Sequence, residues 1–282
     1  MLPVAPLVPV LKPALAAGLA LALALALAPA QTQAAPCLSQ PASGAKPSSA
    51  PATPLPLAGA RDGRLVSASG NELVVKGVVI PTAMQGSQAL ADAAQSAATA
   101  TIAGRALHLE AAPEPDRYGA SRVQGRLDGG DGPALAEALL RNGSGYADPT
   151  TLPACAGLLL DAESAARQAR RGIWAIPGAM LRADALPALT ARTGTFAVVE
   201  GRITGQRSFR GTSTLYFAPP GQKALMVTLP AEPDATFLRY GPATAMLRGT
   251  LIRVRGVVRD EGGPVIAVHS ADQVAALEEK TR

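Results

Sequence analysis

A chain of 282 residues with 48% hydrophobic content is long and apolar enough for one or two packed domains, which excludes a chain disordered throughout. Aromatic residues make up only 3%, so a single-strand binding platform built on stacked rings is a poor fit. The net charge of +5 is unevenly divided: residues 61–175 hold 11 Lys and Arg against 12 Asp and Glu, whereas residues 176–282 hold 13 against 9. A sequence-independent grip on phosphate requires clustered cations, and only the second half has a surplus of them.

Residues 14–28 are an Ala and Leu run with Lys12 just before it, and Ala28-Pro29-Ala30 and Thr32-Gln33-Ala34 offer small-residue cleavage points. The pattern predicts a secretory signal peptide over residues 1–30 and a periplasmic or secreted protein. An uncleaved N-terminal membrane anchor is the alternative, although about 15 strongly apolar residues is short for a span. After cleavage no stable membrane span is expected. Pro36 before Cys37 speaks against a lipoprotein site. Residues 31–60, rich in Pro, Ala and Ser, predict a disordered linker.

Cys37 and Cys155 are the two cysteines, and in an oxidising compartment a bond between them is expected, with two free thiols as the other reading. Two cysteines with the widely separated His108 and His269 do not make a zinc site. Each histidine lies in a strand-like run, where its role is structural.

From Arg64 to Pro81 the apolar pattern predicts two strands turning at Gly70-Asn71. Ser87 to Ala103 carries Leu90, Ala93, Ala94, Ala97 and Ala98 at helical spacing, with Gly104 as a stop. Arg105 to Glu110 and Arg122 to Leu127 read as strands. Pro133 to Asn142 and Leu158 to Arg171 read as helices ended by Gly143 and Gly172.

Between those strands stands Asp116-Arg117-Tyr118-Gly119-Ala120, and the last helix runs into Arg170-Arg171-Gly172-Ile173-Trp174. This stretch resembles the second half of a staphylococcal-nuclease (thermonuclease) domain, and the resemblance covers about 115 residues. It implies an α+β, mainly β domain over residues 61–176: a five-stranded OB-type barrel with three helices packed on it.

The family's chemistry uses carboxylates that hold calcium, a glutamate acting on the attacking water, and two arginines around the phosphate. The opening motif ends in a catalytic arginine in the family; here that position is Ala120. With Pro81 on the family's strand-end proline, Val79 stands at the metal-binding aspartate, Thr82 at the glutamate and Val74 at the first arginine. The family's earlier metal-ligand turn falls on Ala68-Ser69-Gly70-Asn71-Glu72, where one carboxylate cannot hold calcium alone. No Asp or Glu occurs between Lys76 and Leu90, so a shifted register does not restore the set. No catalytic or metal-binding residue is therefore expected, and no cofactor, with calcium required only if the protein is an active nuclease after all.

Arg117, Tyr118 and Arg122 remain near the family's phosphate-facing loop as candidate nucleic-acid contacts. The competing reading makes the two arginines solvated charges and Tyr118 a packing ring. Trp174 matches the family's helix-terminal tryptophan and is read as structural. Arg167, Arg170 and Arg171 form a basic helix end that suits the helix dipole.

After Pro177-Gly178 and a polar stretch to Ala191, a second region over residues 192–278 shows five short strands. They run near Gly194–Ile203, Leu215–Phe217, Leu225–Leu229, Gly249–Val258 and Pro264–Val268, with helical turns at 233–240. The pattern resembles a second, small OB-like barrel. Arg253 and Arg255 alternate with Val254 and so share a strand face. That face is either solvated or a phosphate-binding surface.

Three functions fit these residues. One is an exported, catalytically degenerate nuclease-like module that binds a partner, nucleic acid or an envelope protein. Another is an active periplasmic nuclease that recruits Asp116, Asp62 or Glu110 to the metal. The third is a structural envelope protein. The acid-free span favours the first and third.

Overall fold

The computed structural model describes residues 53–83, 88–116, 118–129, 131–230 and 248–277. The expected signal peptide, Cys37, Arg117 and the expected helical turns at 233–240 lie outside the described residues. Among the described residues the architecture is mixed α and β, with more strands than helices and four α-helices. No helix among them is long and apolar enough to cross a membrane.

The first sheet starts earlier than composition suggests. β1 (Leu55–Arg61) lies, all but its last residue, in the stretch expected to be a linker, pairs antiparallel with β2 (Arg64–Ser67), and buries Leu57. Counting Pro and Ala misses it, because Leu55 and Leu57 alternate onto one face whatever lies between them. β3 (Glu72–Val75) completes the expected hairpin, and β4 (Val78–Val79) pairs with β9 (Tyr146–Ala147). β5 (Ala106–Leu109), β6 (Glu114–Pro115), β7 (Ser121–Val123) and β8 (Gly125–Leu127) finish the sheet.

Its strand order is β6-β7-β3-β2-β1-β5-β8, with β3 and β7 parallel and the other neighbours antiparallel. Gln124 alone separates β7 from β8, so strands near opposite ends of that order are consecutive in the chain.

Helix α1 (Gln88–Ile102) buries Leu90, Ala94, Ala98 and Ile102, four residues apart, as a stripe against β1. Helices α2 (Leu135–Arg141) and α3 (Ala156–Gln168) pack on each other. The motif glycine after α3 has a specific task. Gly172 at φ 53° and Gly143 at φ 73° cross so closely that a Cβ on Gly172 would lie 2.2 Å from the Gly143 carbonyl oxygen. Ile173 N–H donates to that same carbonyl at 2.9 Å. Only glycine accepts both the left-handed backbone and the contact.

The stretch expected to be a polar connection holds β10 (Met180–Arg182) and α4 (Leu186–Thr190). β11 (Phe196–Arg202), β12 (Gly205–Phe209), β13 (Thr212–Tyr216), β14 (Met226–Pro230), β15 (Leu251–Asp260), β16 (Pro264–Ala267) and β17 (Val274–Ala276) follow. Their sheet runs β10-β11-β15-β16-β14-β13-β12, with β17 on β15; β10–β11 and β14–β16 are the parallel pairs.

Two hydrophobic cores share β11. Phe196 and Val198 join the core of Leu65, Leu107, Leu139 and Tyr146, while Ala197 and Val199 join that of Leu215, Val227, Ile252 and Ile266. A strand buried on both faces reads as the continuous apolar run Phe-Ala-Val-Val, without polar alternation.

Candidate functional site

The motif loop is held by its own backbone. Asp116 N–H donates to the Ala120 carbonyl at 2.7 Å, and Oδ1 of Asp116 accepts from the N–H groups of Tyr118 and Ala120 at 2.8 and 2.9 Å. Gly119 supplies φ 85° at the tip. Desolvation pushes the Asp116 carboxyl up, but these two donors, with Arg64 and Arg122 nearby, bring it below the ordinary aspartate range. The motif aspartate thus acts as a turn former, and its oxygen is already engaged.

Ala120 is 1% exposed, so the position at the motif's end faces the core. Arg122 is exposed on β7 and stands opposite Val74 of β3. Val74 and Val79 are half-buried, and Val79 pairs with Tyr146. Tyr118 is 69% exposed. Pro115, Asp116, Tyr118 and Arg122 border an open depression of about 420 Å³. Tyr118 and Arg122, two of the candidate contacts, are therefore brought together at the surface.

A Cβ on Gly63 would lie 2.7 Å from Cγ2 of Thr82 and 2.8 Å from the Ile80 carbonyl, whereas Gly70 has nothing within 4 Å. The turn beside Thr82 is thus Asp62-Gly63, between β1 and β2, and not Gly70-Asn71. The available signal was the Asp-Gly pair itself.

Carboxylates around the loop are occupied. Glu72 accepts from Arg64, with Arg61 at 3.6 Å, and the Arg64 hydrogen bond is the main cause that lowers its carboxyl. Glu114 accepts from Lys76 at 2.7 Å and is lowered by that bond. Glu110 lies 3.2 Å from Arg126, yet desolvation prevails and its carboxyl is raised. Among the described residues no three His, Cys, Asp or Glu side chains converge where a metal ion would fit.

Arg253 and Arg255 do share a face, but α3 covers it. Arg255 is 4% exposed; its Nη1 donates to Glu163 at 2.8 Å and to the Ala147 carbonyl at 3.1 Å. Glu163, 1% exposed, also accepts from the Ala147 N–H at 2.7 Å. Arg253 forks onto Glu200, which Arg167 approaches at 3.9 Å. Desolvation and the neighbouring Arg253 lower the Arg167 pKa, and its Nε is buried without a partner among the described residues. The expectation of a nucleic-acid surface at Arg253 and Arg255 is corrected: these cations stitch α3 to β11 and β15. Strand alternation reveals which residues share a face, not what packs on it.

Trp174 is 9% exposed and meets Tyr146 edge-on, with centroids 5.6 Å apart; Tyr146 in turn lies 6.1 Å from Phe196. Cys155 is buried; the expected pairing with Cys37 lies outside the described residues.

No family model and no curated protein matches the chain. A solved structure described as "OBody AM1L10 bound to hen egg-white lysozyme" is similar over 31% of this chain and 83% of that one, at 20% identity and a TM-score of 0.24. A likeness of that size fixes nothing about this chain.

Proposed function

We propose that this is an exported thermonuclease-like protein without nuclease catalysis, acting as a binding module for nucleic acid. One observation carries the loss of catalysis: Asp116 and Ala120, at the two ends of the motif loop, are consumed in holding and burying that loop. Among the described residues no cluster of carboxylates gathers there to hold a metal ion against an attacked phosphate. The exposed ring of Tyr118 beside Arg122 supports residual contact with a strand.

The strand paths support OB-type barrels in both regions. In the first, the bent pair β7/β8 contacts β3 in parallel and β5 antiparallel; in the second, the bent pair β11/β12 contacts β15 and β13, and β14 runs parallel to β16. Export and a Cys37–Cys155 bond belong to the same reading, since the N-terminal apolar run and an oxidising compartment go together.

The test uses the mature protein with DNA and RNA, in calcium and in chelator. No hydrolysis above background is expected in either, together with oligonucleotide retention that weakens as salt rises. Cleavage abolished by chelation overturns the loss of catalysis, and absence of any retention overturns nucleic-acid binding.

A further inference from the structure

The second region carries a concavity of about 510 Å³ where the start of β12, the end of β13, the connection from β13 to β14 and the Gly262-Gly263 turn meet. Its rim holds Arg207, Lys223 and Arg248, and no carboxylate is among the described residues that line it. Arg207 and Lys223 are exposed, while Nε–H of Arg248 donates to the Thr204 carbonyl, which anchors the guanidinium at the rim. Phe217 and Leu225 are buried beneath it, and Tyr216 with Pro219-Pro220 forms the wall. Asp260 lines a separate depression of about 330 Å³ that shares Lys223.

Three cations, with no carboxylate among the described lining residues, favour an anion. The volume falls in the range of about 300–1,000 Å³ usual for small-molecule sites and exceeds what a bare phosphate needs. The apolar floor and the tyrosine suit a ring.

We propose that this concavity binds a phosphorylated nucleoside unit, with the phosphate among Arg207, Lys223 and Arg248 and the ring against Tyr216 and the proline wall. The inference deepens the binding reading given above, and rests on it only for the source of the ligand: a free nucleotide or the phosphorylated end of a strand.

Calorimetric titration of the full chain with adenosine 5′-monophosphate and with adenosine tests it. The nucleotide is expected to bind about tenfold or more tightly than the nucleoside, because charge-assisted contacts supply the difference. Arg207→Gln and Lys223→Gln should each weaken the nucleotide about fivefold or more at unchanged melting temperature, while Arg259→Gln, equally exposed and outside the concavity, leaves it unaltered. Equal binding of nucleotide and nucleoside, or insensitivity to both substitutions, overturns the proposal.

Competition by 5′-phosphorylated but not 5′-hydroxyl oligothymidylate supports it with a strand end as source, and nucleotide binding without such competition supports it with a free nucleotide. Oligonucleotide retention that ignores Arg207 and Lys223, with nucleotide binding equally insensitive to them, overturns this site and leaves the binding module standing. Nucleotide binding without any oligonucleotide retention supports the site and removes the nucleic-acid reading.

Discussion

The two sheet regions handle their cations in opposite ways. In the first, Arg64, Lys76, Arg105, Arg126 and Arg141 each sit on a carboxylate of the same region. In the second, Arg207 and Lys223 stand exposed around a concavity with no acid among the described residues that line it. Apart from exposed cations such as Arg122, the region bearing Asp116–Ala120 largely satisfies its own charge, and the second region keeps Arg207 and Lys223 for a partner.

Between them lies the Glu163–Arg255 pair, and breaking it offers the largest expected effect. Glu163→Ala leaves Arg255 buried without its carboxylate and the Ala147 N–H without its acceptor, at a cost of about 3–5 kcal/mol. Chemical denaturation followed by circular dichroism measures it. A loss under about 1 kcal/mol would mean that water reaches the pair and that the two regions are not locked together there.

A smaller loss, about 1–3 kcal/mol, is expected from Gly172→Ala, since both the left-handed backbone and the Gly143 carbonyl oppose a Cβ. Trp174 is the chain's single tryptophan and sits in the first core, so its fluorescence reports that region alone. Fluorescence and circular dichroism should still shift together, because β11 belongs to both cores. A fluorescence transition that moves alone would show the regions unfolding separately.

Sequence periodicity located α1, α2 and α3 and most strands within a few residues, because each has a buried stripe or alternation of its own. β1 escaped because its signal is two leucines in a Pro- and Ala-rich stretch, and β10 and α4 because both are too short for periodicity to register. At Val74, Val79, Thr82 and Ala120 only the residue types were legible. Their surroundings were not: the covering of Arg253 and Arg255 by α3, and the approach of Gly63 to Thr82, depend on tertiary packing with no local pattern. The concavity at Arg207, Lys223 and Arg248 joins residues 41 positions apart in the chain, and only the fold brings them to one rim.

The smallest effect lies in pH, and it also separates the regions. Glu72, Glu114, Asp116 and Asp128 of the first region all have lowered folded pKa values; hydrogen bonds from Arg64, Lys76 and Arg105 lead for Glu72, Glu114 and Asp128. A lowered folded value means that the unfolded chain takes up protons first. Stability from these groups is complete above the unfolded carboxylate range of about 4 and is lost as pH falls through their folded values. Glu110 has the opposite sign: raised by desolvation, it stabilises the fold below the unfolded value, and this contribution is lost as pH rises through the folded one. Denaturation midpoints should therefore fall on acidification from neutrality to about pH 3, with Glu72→Gln flattening the decline and Glu110→Gln raising the midpoint at neutral pH. In the second region Asp184 is the corresponding lowered acid, held by Arg182 on the surface, so Asp184→Asn should flatten the decline less than Glu72→Gln. An equal or larger effect at Asp184 would dissolve the contrast between a self-satisfied region and one with charge to spare.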